Sequence, residues 1–225
     1  MFMTKQLFLQ AIGKFALGVV LVGLLVFLPA GTWHYRQGQL LMVILFLPMF
    51  LAGLVMLAKN PRLLAGRLKG KEQHRAQDRV VKASGLMFLA GFATAGLNYR
   101  LGWYLLPGWV SLAAAVVFLG AYLLYGEVLR ENTYLSRIIE VQEGQTVVDT
   151  GLYAIVRHPM YAATLLLFLS MPLVLGSLPA FVIFLVYPFL IAGRIRHEER
   201  FLEAELEGYR AYKEKVPYRL IPFVW

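Results

Sequence analysis

An all-α bundle of about six membrane-spanning helices is the fold class the sequence predicts, and three observations carry that prediction. Of the 225 residues, 59% are hydrophobic and only 16% are charged, against about a quarter charged in soluble domains. Apolar runs long enough to cross a bilayer recur along the chain, separated by polar connectors. When those runs are threaded back and forth, 20 of the 22 basic residues fall on one side, leaving Arg36 and Arg100 on the other.

The first run, Ala11–Gly31, spans about 21 residues or roughly 31 Å of helix, with Lys14 near its start placed to snorkel. It is too long for the core of a signal peptide, and Leu28-Pro29-Ala30 is a poor cleavage site. The second, Gly38–Ala58, is interrupted by Pro48, and Trp33 and Tyr35 mark the interface before it. Residues 59–82 form a basic connector, in which only Glu72 and Asp78 oppose eight cations. The third run, Ala83–Tyr99, is short and rich in Gly and Ala, a composition that lets helix backbones approach closely. Gly18 and Gly23 of the first run read as packing glycines in the same sense. Residues 100–108, with Trp103 and Tyr104, form an interfacial turn before the fourth run, from Trp109 to about Leu129. A second polar connector, Glu131–His158, carries the β-branched patch Thr146-Val147-Val148 and turn signals at Gly144 and Asp149-Thr150-Gly151. The fifth and sixth runs, Pro159–Leu175 and Leu178–Gly193, are joined only by Gly176-Ser177. They make a tight hairpin in which Pro172 and Pro188 are expected to kink the legs. Arg194–Lys215 reads as one charged amphipathic helix.

By the positive-inside rule, the charge asymmetry puts the termini and both long connectors in the cytoplasm. The chain divides into residues 1–129, N-terminal membrane helices with the basic loop 59–82, and residues 130–225, which hold the polar motifs. A net charge of +9 would suggest nucleic acid in a soluble protein; here the bilayer is the expected partner and nucleic acid is not. The absence of cysteine excludes thiolate catalysis and disulfides. No metal-ligand spacing links the four histidines; His34 and His74 stand alone in connectors.

Any polar site belongs on the connector side, and the hairpin brings two clusters there. His158 and Glu198 are forty residues apart, but the chain leaves and returns between them to the same depth. The first cluster is Arg157-His158-Pro159-Met160-Tyr161. Proline suits the first position of a helix, and free N–H groups beside Arg157 and His158 would favour a carboxylate. The plainer alternative is a snorkelling basic flank with an interfacial tyrosine. The second cluster is Arg194-Ile195-Arg196-His197-Glu198-Glu199-Arg200. Glu198 falls on the apolar stripe Ile195, Leu202, Leu206, Tyr209, where a carboxylate needs a partner or ligand; Glu199 flanks the stripe. The alternative is a solvated face with Arg194 and Glu198 as an i,i+4 pair. Tyr209 and Tyr212 fit an aromatic belt, Asn98 and Asn132 fit caps or a site lining, and Glu127 lies where it can reach the surface.

Gly151-Leu152-Tyr153, Arg157-His158-Pro159-Met160-Tyr161, the short hairpin, Arg196-His197-Glu198-Glu199, Leu202, Tyr209, Tyr212 and Val216-Pro217, in that order, resemble the isoprenylcysteine carboxyl methyltransferase family. The wider group includes membrane phospholipid N-methyltransferases. The likeness covers roughly residues 130–225. It implies a methyltransferase that holds S-adenosyl-L-methionine under a cover of C-terminal helices. The cofactor-binding set it implies is His158, Pro159, Tyr161, Glu198 and Glu199, with Tyr153 of the Gly-Leu-Tyr stretch added. Arg157 and Arg196 are candidate catalytic residues. Two departures stand out: Ala163 replaces the glycine usual two residues after the tyrosine, and Gly208 directly precedes Tyr209. The acceptor implied is lipophilic, a prenylcysteine-like carboxylate or a lipid head group, entering sideways between helices. Two other classes stay open. An NADPH-dependent lipid or sterol reductase should converge more phosphate-binding cations on the site, and a non-catalytic scaffold should tolerate alanine in both clusters.

Overall fold

A computed structural model describes the backbone of residues 2–68 and 75–225, and the side chains of residues 5–68 and 78–225. Lys69, Lys71, Glu72 and His74 of the basic connector lie outside them. The described chain is helical: α1 (Phe2–Ala30), α2 (Arg36–Lys59), α3 (Pro61–Leu68), α4 (Arg75–Leu101), α5 (Gly108–Glu131), α6 (Pro159–Val174), α7 (Leu178–Phe184), α8 (Tyr187–Glu205) and α9 (Tyr209–Lys215). A 3-10 turn covers Gly151–Ala154. Among the described residues, five stretches are long and apolar enough to cross a membrane, the last being α7 and α8 together, and α6 is a shorter apolar helix. This is the polytopic all-α bundle expected from the hydropathy, since backbone polar groups in hydrocarbon must be satisfied within each helix.

Helix boundaries depart from the apolar runs where charge can be accommodated at the ends. α1 begins at Phe2, well before Ala11, because no breaker precedes the run; Lys14 on it donates to the Leu68 carbonyl at the end of α3. The basic connector is largely helical, contributing α3 and the first turns of α4. Pro48 stays inside α2 without ending it. Pro188 acts as expected: the second hairpin leg breaks at Leu185–Val186, just before it, into α7 and α8. α8 then runs on without interruption to Glu205. The single amphipathic helix expected over Arg194–Lys215 is instead split, because Gly208 at φ +82° opens α9 in a new direction.

α4 lies against α1, α7 and α8, while α5 packs along α6. The close approach expected of its small residues occurs at Gly96 and Gly91. A Cβ at Gly96 would lie 2.5 Å from the Val26 carbonyl oxygen of α1, and one at Gly91 would collide with the Phe184 ring. Gly18 and Gly23 are less constrained than expected, each meeting one side-chain carbon at 3.6 Å. Phe88, Phe168, Phe184 and Tyr187 interlock edge to face in the resulting core, the favoured arrangement for ring quadrupoles, and Phe92 lies tilted against Phe184.

Each end of the bundle is tied. At one end the 102–107 turn is held to the hairpin tip by Leu106 N–H to the Gly176 carbonyl (2.9 Å) and by Leu178 N–H to the Tyr104 carbonyl (3.4 Å). Asn98, fully buried, accepts from Tyr104 N–H there. At the other end α3 docks on the second connector. Arg67 donates to the Ser136 carbonyl (3.3 Å) and the Tyr125 hydroxyl, and Arg137 N–H donates to the Gly66 carbonyl. α6, with 16 residues, rises about 24 Å. It is shorter than the five candidate spans, and its first turn forms the floor of a pocket at the connector end.

Candidate functional site

The pocket encloses about 820 Å³ of free space, part of it open to solvent. Four stretches build it: the irregular connector from Asn132 to Val148, Tyr153 on the 3-10 turn, the Arg157–Tyr161 segment that opens α6, and the α8–α9 region from Arg194 to Tyr212. The hairpin therefore brings the two sequence clusters together at one depth. Tyr161 sits between them. Its hydroxyl donates to Glu198 Oε2 and accepts from Arg194 Nε at 2.9 Å. Arg194 also donates to the Arg137 carbonyl at 2.9 Å, fastening α8 to the connector.

The two glutamates do different things, and the helical stripe assigned them the wrong way round. Glu199 is the buried one, 2% exposed, while Glu198 is only half-buried and lines the pocket. Glu199 Oε1 accepts from Arg157 Nε at 2.7 Å and lies 3.3 Å from His158 Nε2, and its Oε2 accepts from Arg219 Nε at 2.8 Å. The stripe predicts one buried face, but α8 is enclosed on two, by the pocket and by the C-terminal tail that carries Arg219. Adjacent positions are both covered as a result.

That tail also alters the start of α6. Arg157 N–H donates to the Tyr218 carbonyl and His158 N–H to the Arg219 carbonyl, and the His158 carbonyl receives the N–H groups of Tyr161 and Ala162. The free N–H cradle expected there for a carboxylate is thus largely filled by the chain itself. Pro159 is fully buried at the first helical position. Arg157, bound to Glu199 and donating to the Val216 carbonyl at 2.6 Å, reaches the pocket with two of its N–H donors already committed. Arg196 is exposed on the opposite side of α8 and is not part of the lining. Ala163, the first departure from the family pattern, is fully buried in the bundle core.

A small apolar cluster of Leu206, Tyr209, Tyr212 and Val216 covers the pocket, with Val141, Val147 and Leu202 against it. The Tyr212 hydroxyl donates to the Tyr153 carbonyl at 2.7 Å. Burial pushes the Tyr153, Tyr209 and Tyr212 phenols up from their ordinary value, and for Tyr209 the carboxylates of Glu199 and Glu198 add to it. All three stay hydrogen-bond donors across the physiological range. Among the described residues, the buried side-chain groups with no hydrogen-bond partner are the hydroxyls of Ser111, Tyr153 and Tyr209, and the two tyrosines line the pocket.

One contributor has no clear mark in the sequence. Glu131, at the end of α5, accepts from Leu152 N–H at 2.9 and 3.1 Å and so holds the turn that carries Tyr153. Its signal was the positive-φ glycine beside it, Gly151 at +53°, which sequence reading had marked only as a turn. Tyr209, on the apolar stripe with Ile195, Leu202 and Leu206, is enclosed in the pocket lining and does not sit in an exposed aromatic belt. No group of three or more His, Cys, Asp and Glu placed to hold a metal exists among the described residues.

Residues 110–204 match the model of the Isoprenylcysteine carboxyl methyltransferase (ICMT) family. The chain is also 27% identical over 120 residues to the mouse (Mus musculus) Delta(14)-sterol reductase TM7SF2; the match covers 48% of this chain and 29% of that protein. The chain thus spans less than a third of the curated relative it matches. The family match supports a methyltransferase set in a membrane. The segment that supplies most of the pocket, residues 110–204, is thus the part of the chain similar to the isoprenylcysteine carboxyl methyltransferase (ICMT) family.

Proposed function

We propose that this protein is an S-adenosyl-L-methionine-dependent membrane methyltransferase acting on a lipophilic acceptor, a prenylcysteine-like carboxylate or a lipid head group. The observation that carries the reading is Glu198, a half-buried carboxylate on the pocket wall that is not taken up by the Glu199 ion cluster. The residues present fit the cofactor. The lining offers a carboxylate for a cation, with tyrosine rings beside it. When bound, S-adenosyl-L-methionine supplies an electrophilic methyl group on a sulfonium. The residues that would hold it are Glu198, Tyr153, Tyr161 and His158, with Pro159 fixing the helix start beneath them. Glu199 and Arg157 keep that floor rigid.

The chain's own part in the reaction is alignment and exclusion of water, which methyl transfer needs more than a strong base. Tyr161, held by Arg194, fixes the Glu198 carboxylate through its donated hydrogen bond. The Leu206–Val216 cluster, with the connector residues Val141 and Val147 against it, supplies an apolar cover over part of the pocket. Residues 130–225 carry this machinery in the proposal, and residues 1–129 supply the membrane frame around it.

The test is calorimetry of the purified protein in detergent with S-adenosylhomocysteine and NADPH side by side. S-adenosylhomocysteine should bind and NADPH should not; selective NADPH binding would transfer the assignment to a lipid or sterol reductase. Glu198→Gln should weaken S-adenosylhomocysteine by about 2 kcal/mol, roughly 30-fold, the scale for removing one charged side of an enclosed hydrogen-bonded pair. Wild-type affinity in that variant would remove Glu198 from the site.

The basic asymmetry supports an orientation with both termini and the pocket on the cytoplasmic side. Reporter fusions at Met1 and at Trp225 should both report cytoplasm, and an external signal from either one overturns this orientation.

A further inference from the structure

A cation held at the level of the lipid head groups is expensive unless an anion or a water-filled space meets it. Arg67, at the end of α3, is such a residue. Its Nη2 donates to the Tyr125 hydroxyl, and its Cζ lies 5.6 Å from the centre of that ring. Tyr125 stands six residues before Glu131 at the end of α5, about 9 Å along the helix. In a span of this length, that depth is just inside the boundary between head groups and hydrocarbon. Arg67 Nη1 donates to the Ser136 carbonyl at 3.3 Å and to the Met160 sulfur at 3.6 Å. All three acceptors are neutral. Among the described residues no carboxylate pairs with Arg67, and two of its five N–H donors, the one on Nε and one on Nη2, find no acceptor. Tyr125 accepts from Arg67, and its own O–H has no acceptor among the described residues. Both side chains belong to partly exposed residues, so a ligand can reach them. Lys14 of α1 donates to the carbonyl of the next residue, Leu68, and adds a second cation at the same helix end.

We propose that Arg67 and Tyr125, with Lys14 beside them, form a binding site for the phosphate of an anionic membrane phospholipid. The donor set selects the ligand. A guanidinium suits the oxygens of a phosphate, and the phenol adds a neutral donor next to it. Basic pockets between membrane helices take anionic head groups in this way. A head group with an ammonium would bring a further positive charge toward Arg67 and Lys14, so one without it fits better. The depth of Tyr125 favours a phosphate that the bilayer itself supplies. Neither Arg67 nor Tyr125 lines the pocket, and Arg67 and Lys14 fall outside the family-matched residues 110–204. The site therefore stands apart from the cofactor reading. Met160 touches Arg67 and also lines the pocket, so a single side chain divides the lipid from the cavity.

The test is lipid retention by the purified full chain in detergent, read by native mass spectrometry with dioleoylphosphatidylglycerol as the probe. Dioleoylglycerol, which has the same chains and no phosphate, and inorganic phosphate at constant ionic strength serve as competitors. Wild type should retain phosphatidylglycerol, and neither competitor should displace it. Arg67→Gln should weaken retention about tenfold or more, because hydrogen bonds to charged groups are the strong ones. Tyr125→Phe keeps the ring beside the guanidinium and removes one donor, so retention should fall about threefold or more. An Arg67 that merely ties α3 to the connector gives a different result. Arg67→Gln would then melt earlier while its folded fraction retains phosphatidylglycerol like wild type, and the proposal is overturned. Displacement by dioleoylglycerol would show that the chains alone bind, and displacement by inorganic phosphate that the site serves a soluble anion; either result overturns the lipid assignment. A wild type that retains no phosphatidylglycerol lacks the site altogether. Should Arg67→Gln fail to fold, Tyr125→Phe decides: unchanged retention in that variant also overturns the proposal.

Discussion

Glu199→Gln should be the most damaging single substitution at the site, destabilising the protein by about 3–5 kcal/mol, the scale for stripping one partner from a buried ion cluster. The carboxylate offers one oxygen to Arg157 and His158 and the other to Arg219, and it is almost fully enclosed. A glutamine keeps the shape but must turn its amide NH₂ toward one of those donors. Arg157, 4% exposed at its side chain, is then left as an uncompensated buried charge. The floor of α6 and the tail segment at Tyr218–Arg219 lose their common anchor. Thermal unfolding in detergent should show a clear drop, larger than for Arg219→Gln, whose side chain is 32% exposed and can find water. A Glu199→Gln protein that melts like wild type would show that the cluster carries no stability. The comparison also separates the two glutamates, since Glu198→Gln should leave the melting temperature nearly unchanged while it weakens binding.

Gly151→Ala should come second, at about 2–5 kcal/mol. Two effects combine. Gly151 has φ +53°, a left-handed conformation that costs an L-residue about 1–2 kcal/mol. A Cβ there would also lie 1.7 Å from Glu131 Oε1, and forced crowding of this kind adds about 1–3 kcal/mol. The carboxylate can swing aside, but Leu152 N–H then loses its acceptor and the turn that carries Tyr153 shifts. Both melting temperature and S-adenosylhomocysteine affinity should fall. In the Gly151→Ala, Glu131→Ala double variant the collision is absent, so the combined loss should be smaller than the sum of the single losses. Strict additivity would mean that the two residues do not meet.

What could be read from the sequence and what could not divide along physical lines. The spans and the hairpin were legible because hydropathy and charge act over twenty residues at a time. The Gly176-Ser177 tip forces residues 158 and 198 back to one depth whatever their side chains do. The distinction between Glu198 and Glu199 was not legible, because it depends on Arg219 arriving from the tail, a contact no periodicity encodes. The split between α8 and α9 had a visible signal in Gly208, but the charged pattern across it stayed helical in period and concealed the break. The filled start of α6 had none: the carbonyls of Tyr218 and Arg219 belong to backbone, which sequence does not distinguish. Gly96 and Gly91 were legible as a composition and not as positions, since which glycine meets α1 is set by the crossing of the helices.

The hydrogen bonds from Leu152 N–H to Glu131 close the neck of the whole 132–150 segment, which has no helix or strand of its own yet forms one side of the pocket. A loop drawn shut at its base can be exchanged as a unit. Doubling such a loop adds only about 0.6 kcal/mol of closure entropy, and the Glu199 cluster beneath it does not depend on its length. Divergence can therefore act on this one segment, altering what the cavity admits while helix insertion, interhelical packing and the ionic floor are inherited intact.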